Sequence, residues 1–156
     1  MAASDATERF AASASELGIG VVVSRYPEGT RTAVDTAAAV GCDVGQIVKS
    51  LVLMADDRPI LVLCSGANRV DLAKVGAEFG CEVRMANADE VRAATGFAIG
   101  GAPPFGHPAP LPALVDPDLL GYDEVWAAAG RPDSVFPLTP EALVAGSGAR
   151  AVDIAL

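Results

Sequence analysis

The sequence predicts an α+β fold in which a mixed, mostly antiparallel, curved and barrel-like sheet is flanked by helices. Three observations carry this. Helical and strand patterns are interspersed without regular βαβ alternation. Two apolar β-branched runs, Ile47–Met54 and Pro59–Cys64, flank the short polar stretch "ADDR", which favours an antiparallel hairpin. Capping residues stand ahead of several helical segments: Asp71, Asn87 and Thr139. A chain of 156 residues fits one domain with a sizeable core, and no internal repeat or linker divides it.

Each element has a local reason. Asp5 with Glu8 forms a capping-box-like start to a helix through about Leu17, which Gly18 and Gly20 stop. "VVVSRY" reads as a strand and Pro27-Glu28-Gly29 as a turn. "TRTAVDTAAAVG" reads as an alanine-rich helix ending at Gly41. After the hairpin, Asp71 caps a helix through Phe79, and "EVRM" is a short strand. Asn87 with Glu90 starts a helix that ends before Gly96. From Gly96 to Pro112 the chain is too rich in glycine and proline for regular structure. A loop that long in a compact domain is usually functional or disordered. Strands return at "ALVD", "EVWAAAG" and "SVFPL". Thr139 as N-cap with Pro140 at the first helical position opens the last helix, and "ARAVDIA" closes as a strand.

Composition narrows the function. The chain is 51% hydrophobic and 20% charged, with a net charge of −9, which fits a globular protein and argues against sequence-blind binding to nucleic acid. Cys42, Cys64 and Cys81 form no C-x-x-C, so a disulfide framework or zinc knuckle is not expected, and a reducing cytoplasm is the simplest setting. "MAASDATERF" lacks the apolar core of a signal peptide, and no apolar run is long enough to span a bilayer. Lys49 and Lys74 are the only lysines.

Lys49 interrupts "QIVKSLVLM". Alternation places Ile47, Lys49, Leu51 and Leu53 on one strand face and Val48, Ser50, Val52 and Met54 on the other. The lysine either snorkels to solvent or points into a pocket where a ligand anion or polar group satisfies its ammonium. The loop "IGGAPPFGH" is the second feature. Gly100 and Gly101 allow backbone amides to approach a carbonyl or oxyanion, and Pro103 and Pro104 stiffen the chain. The alternative is a rigid surface turn. His107, the single histidine, sits in the same loop, a setting more typical of an exposed residue than of a catalytic one. No further ligands at suitable spacing suggest a metal, and no G-x-S-x-G supports a serine triad. Tyr122 and Trp126 read as core, and Asp56, Asp57, Asp116 and Asp118 as turn and cap residues.

Together, "QIVKSLVL", "TGFAIGGAPPFG" and "VWAAAGRPDSVFPLTPEAL" resemble the YbaK family of aminoacyl-tRNA deacylases, which includes the editing domain inserted in bacterial prolyl-tRNA synthetases. The likeness runs from about Leu17 to Ile154. It implies a mixed-sheet, barrel-like fold with Lys49 facing a central pocket, no cofactor and no metal. It also implies a free-standing hydrolase acting in trans on the ester of a mischarged tRNA acceptor end, chiefly that of tRNA(Pro). By the same resemblance, Lys49 grips the terminal adenosine region, Gly100 and Gly101 hold the ester carbonyl, and water assisted by the substrate's ribose hydroxyl attacks. Tyr26 matches an early family aromatic. Ala128 replaces a serine of the cysteine-specific branch, Thr32 replaces an aromatic of that branch, and Ser50 replaces an asparagine of the alanine-specific branch. Neither specificity therefore transfers. Prolyl-tRNA synthetase or an elongation factor is the expected presenting partner. Two rivals share these features: a binding module that holds an aminoacyl or nucleotide end without hydrolysis, and an adaptor that docks on a synthetase.

Overall fold

The computed structural model describes residues 6–26 and 32–156. In chain order it contains α1 (Ala6–Glu16), β1 (Ser24–Arg25), α2 (Ala33–Val40), β2 (Ile47–Ala55), β3 (Arg58–Ser65), α3 (Leu72–Phe79), β4 (Val83–Met85), α4 (Ala88–Thr95), β5 (Ala113–Val115), β6 (Val125–Ala128), β7 (Ser134–Leu138), α5 (Pro140–Ser147) and β8 (Arg150–Ala151). Short 3₁₀ segments stand at Val44–Gln46 and Pro117–Gly121. The expected cap at Asp5 and the turn Pro27-Glu28-Gly29 lie outside the described residues.

The caps follow local chemistry. Asp71 accepts from the N–H groups of Ala73 and Lys74 at the start of α3. Asn87 and Glu90 exchange bonds of 2.8 and 2.9 Å at the start of α4, satisfying two otherwise orphaned N–H groups. Thr139 accepts from Ala142 N–H at 3.1 Å, with Pro140 opening α5. Helices α2 and α4 end on Gly41 and Gly96, both at φ 80°.

One eight-stranded sheet has the path β1-β7-β6-β2-β3-β5-β8, with β4 attached to β2. The pairs β1/β7, β2/β3, β2/β4 and β6/β7 are antiparallel. The pairs β2/β6, β3/β5 and β5/β8 are parallel. The mixed α+β architecture is the one expected, and the hairpin turns at Asp56-Asp57. Two predicted strands are shorter than expected. Of "VVVSRY" only Ser24–Arg25 forms a strand, and Val21 and Val23 pack against the core outside it. Of "ARAVDIA" only Arg150–Ala151 joins β5, and Ala155 bridges Val70 instead.

Alternation along β2 divides the core. Val48, Val52 and Met54 join a cluster containing Phe10, Phe105, Phe136 and Leu143. Leu53 and Ala55 join the opposite cluster with Val62, Cys64, Val75 and Ile154. Phe10, Phe105 and Phe136 meet with centroids 5.0–6.0 Å apart, and full burial of each such ring contributes about 1.5–3 kcal/mol. Phe105 brings the glycine-proline loop with it, so residues 101–105 are buried. The loop is therefore anchored in the core at residues 101–105, while Ile99 and Gly100 ahead of them are exposed.

The arrangement around β2 positions the site. Strand β3 covers one edge of β2 from Val48 to Ala55. The other edge is shared: β6 takes Ile47 and Val48, and β4 takes Leu53 to Ala55. Between these partners, Lys49 to Leu51 face neither strand, and a pocket opens there.

Candidate active site

The pocket has a volume of about 350 Å³. Its walls come from the start of α2, the uncovered stretch of β2, the end of β4, α4, the turn around Gly100, and β6. Of the predicted site residues it collects Thr32, Lys49, Ser50, Gly100 and Ala128. Thr32 is also the N-cap of α2, accepting from Asp35 N–H at 3.1 Å.

Lys49 is half-buried and stands opposite Cys64 in the β2/β3 register. Its Nζ donates to the main-chain carbonyl of Asn68. The ammonium therefore has a protein partner, which neither the solvent-snorkelling nor the ligand reading of the sequence supplied, and its other two donors have no acceptor among the described residues. Lys49 is the only ionisable side chain among the described residues lining the pocket. Cys64 beside it is no nucleophile: burial pushes its thiol up to about 11, against the opposing pull of Lys49. Ser50 Oγ is buried and has no hydrogen-bond partner among the described residues.

The turn Ala98–Gly101 closes through Gly101 N–H to Ala98 C=O at 3.0 Å, with Gly100 at φ 84°, as position i+2 of a type II turn requires. Gly101 does not share that conformation. Its amide is spent within the turn, and its carbonyl accepts from Gly130 N–H at 3.0 Å. Gly100 N–H has no acceptor among the described residues, and Gly100 lines the pocket.

The remaining candidates lie elsewhere. Gly101 and Pro103 are buried and do not line the pocket. Pro104 and His107 line a second pocket of about 200 Å³. Tyr26, half-buried, lines neither, and its N–H donates to Asp133 C=O at 2.8 Å. His107 is also half-buried rather than exposed, with Nε2 2.8 Å from Pro103 C=O. Trp126, expected in the core, is a half-buried pocket wall. Met85 and Ile99, 45% and 56% exposed, add apolar surface that no motif announced, although Ile99 adjoins the paired glycines.

Burial lowers the pKa of His107 against the opposing effect of the Pro103 carbonyl, so the folded protein holds the ring neutral more strongly than the unfolded chain does. The unfolded state then binds more protons as pH falls through the ordinary histidine range of about 6.5, and stability falls with it. His107→Asn is expected to flatten that part of the stability profile, read by thermal melts between about pH 5 and 8. His107→Ala is expected to cost less than about tenfold in turnover, below the range typical of a general acid or base.

The fold and site define a protein with an apolar cleft that carries a single cation and a buried hydroxyl. Residues 27–145 match the family model described as "Aminoacyl-tRNA editing domain", and the chain belongs to that family. It is 31% identical over 122 residues to the uncharacterized protein YwhH of Bacillus subtilis (strain 168), covering 78% of each chain. It is 34% identical over 107 residues to the proline--tRNA ligase of Geobacter sp. (strain M21), covering 68% of this chain and 19% of the ligase. The chain thus spans about a fifth of that ligase. A crystal structure of a protein proposed as a trans-editing enzyme for prolyl-tRNA synthetase superposes with a TM-score of 0.94 at 47% identity, covering 99% of both chains. Among the described residues, no helix is long and apolar enough to cross a membrane.

Proposed function

We propose that the chain is a trans-acting deacylase that hydrolyses the ester of tRNA, chiefly tRNA(Pro), carrying a small wrong amino acid. The observation that carries this reading is Lys49, the lone cation among the described residues of a mostly apolar pocket on an editing-domain fold. The full-length match to a protein proposed as a trans-editing enzyme supports action in trans. The likeness to proline--tRNA ligases supports tRNA(Pro) as carrier.

In this reading Lys49 keeps one donor on Asn68 and offers the others to the terminal nucleotide, through charge-assisted bonds. The Gly100 amide polarises the ester carbonyl. With no other ionisable side chain among the described lining residues, the attacking water takes its assistance from the substrate's ribose hydroxyl. The net charge of −9 disfavours tight unaided tRNA binding, so prolyl-tRNA synthetase or an elongation factor presents the substrate in the cytoplasm. The test is a deacylation panel of tRNA(Pro) charged with Ala, Cys, Ser and Thr. Turnover of at least one is expected; binding without turnover of any would instead establish the binding-module reading.

In this reading Ser50, whose buried Oγ has no partner among the described residues, helps select the amino acid alongside the other hydroxyl-bearing lining residues Thr32 and Thr36. An unpartnered buried hydroxyl costs about 1–3 kcal/mol, so Ser50→Ala is expected to leave the melting temperature unchanged or raise it. The same variant is expected to alter the ranking of amino acids in the panel. An unaltered ranking would remove Ser50 from substrate selection.

A further inference from the structure

We propose that Asn68, anchored by Asp116 and Asp118, is the positioning residue for Lys49. This inference rests on the reading above that the Lys49 ammonium serves the substrate. The two ends of the arrangement are far apart in sequence and meet at the end of the β2/β3 hairpin. Asn68 lies in the turn after β3, and its own N–H donates to Ser65 C=O at 3.0 Å. Its side-chain amide nitrogen donates to Asp116 Oδ2 and to Asp118 Oδ2, each at 2.8 Å. Both side-chain N–H groups are therefore engaged.

Asp116 is itself held from several sides. It is 2% exposed. Its carboxylate accepts Ser65 N–H at 3.1 Å and Asp118 N–H at 3.0 Å, besides the Asn68 amide. Ser65 Oγ in turn donates to Gly45 C=O at 2.7 Å. A buried carboxylate with several donors has little freedom to move, so the turn it grips is fixed, and with it the Asn68 carbonyl that receives Lys49 Nζ.

The choice of a carbonyl has a chemical consequence. A carboxylate in direct contact with Lys49 would neutralise the cation and compete with an anionic or electron-rich ligand. A main-chain carbonyl takes one donor and leaves the charge in place. Asp116 and Asp118 stand one group further away, where they offset the charge without occupying the remaining donors. Both Lys49 and Asp116 act on the Cys64 thiol, in opposite directions, which puts the cation and the carboxylates in one electrostatic neighbourhood.

The experiment exploits the presence of only two lysines. Protein labelled with ¹³C,¹⁵N-lysine has two side-chain signals, and Lys74, paired with Asp153 at 2.9 Å on the surface, is an internal reference. Asn68→Ala keeps the main-chain carbonyl but releases the turn from Asp116. The expected result is a shifted Lys49 signal with faster ammonium exchange, an unmoved Lys74 signal, and kcat/KM for mischarged tRNA lower by about 10–100-fold, the scale of a small misplacement of a binding group. Asp118→Ala, at the exposed anchor, is expected to move the same signal less and in the same direction, and it carries the comparison should Asn68→Ala not fold. An unmoved Lys49 signal overturns the proposal. So does a moved signal with unchanged kcat/KM, or a gain in activity, which would make the carbonyl a competitor of the substrate. If the parent protein deacylates no charged tRNA, the functional reading fails, and the labelled-lysine comparison still decides whether Asn68 holds Lys49.

Discussion

Lys49→Ala is expected to lower single-turnover deacylation by about 10²-fold or more, the usual loss when a preorganised electrostatic group is removed from a site, while leaving the fold intact. Lys49 is the only ionisable side chain among the described lining residues, so none of them can replace its charge. Stability should change by no more than about 1 kcal/mol, because the lost bond to Asn68 is offset by the removal of a partly desolvated ammonium. Lys49→Arg should rescue poorly. A planar fork is longer than an ammonium and cannot donate to the Asn68 carbonyl and to a ligand in the same directions. Saturating-enzyme deacylation beside a thermal melt checks both points, and parental rates in the alanine variant would sink the proposed role.

The second large effect is on folding. Gly101→Val is expected to destabilise the protein by about 3 kcal/mol, the upper range for overpacking. A Cβ at position 101 would lie 2.9 Å from Arg131 Cα and C and 3.0 Å from Gly130 O, all main-chain atoms that no rotamer change can move away. The same two segments are joined by the bond from Gly130 N–H to Gly101 C=O, so the valine must separate them. Gly100→Ala separates the two roles of the glycines. Nothing lies within 3.9 Å of a Cβ there, and the cost is the φ of 84° alone, about 1 kcal/mol. Turnover lost in Gly100→Ala with a modest fall in melting temperature would mark the amide beside the pocket. A parental melting temperature in Gly101→Val would refute the close approach.

These two glycines show where sequence reasoning stops. Their pairing marked the loop as special, and amides approaching a ligand carbonyl were the reason read for both. The structure divides the reasons: Gly100 supplies the turn conformation, and Gly101 makes room for the chain between β6 and β7. Conformational need is local and leaves a trace in the neighbouring residues. Close approach depends on a segment about thirty residues away and leaves none. Trp126 has the same history: it lines the pocket because the parallel pairing of β6 with β2 brings Trp126 opposite Ile47. Asp116 looked like a cap, and it does accept from Asp118 N–H. Its bond to Asn68, across 48 positions of sequence, was invisible.

What the sequence determined by itself was local or repetitive. Period-two alternation and a short polar turn specified the β2/β3 hairpin. The Asn87/Glu90 pair three residues apart specified the start of α4, and Thr139 followed by Pro140 that of α5. A lysine inside an apolar strand, with a glycine-proline loop following later, marked the family and one wall of the site. The tertiary structure decided that β4 and β6 share one edge of β2 and leave Lys49 to Leu51 uncovered, that the Lys49 ammonium rests on the Asn68 carbonyl, and that His107 belongs to a different pocket. The physical reason is range. Capping bonds and side-chain alternation act between residues a few positions apart, where the chain itself fixes the geometry. Strand order and buried polar contacts join segments whose separation in sequence carries no imprint of their distance in space.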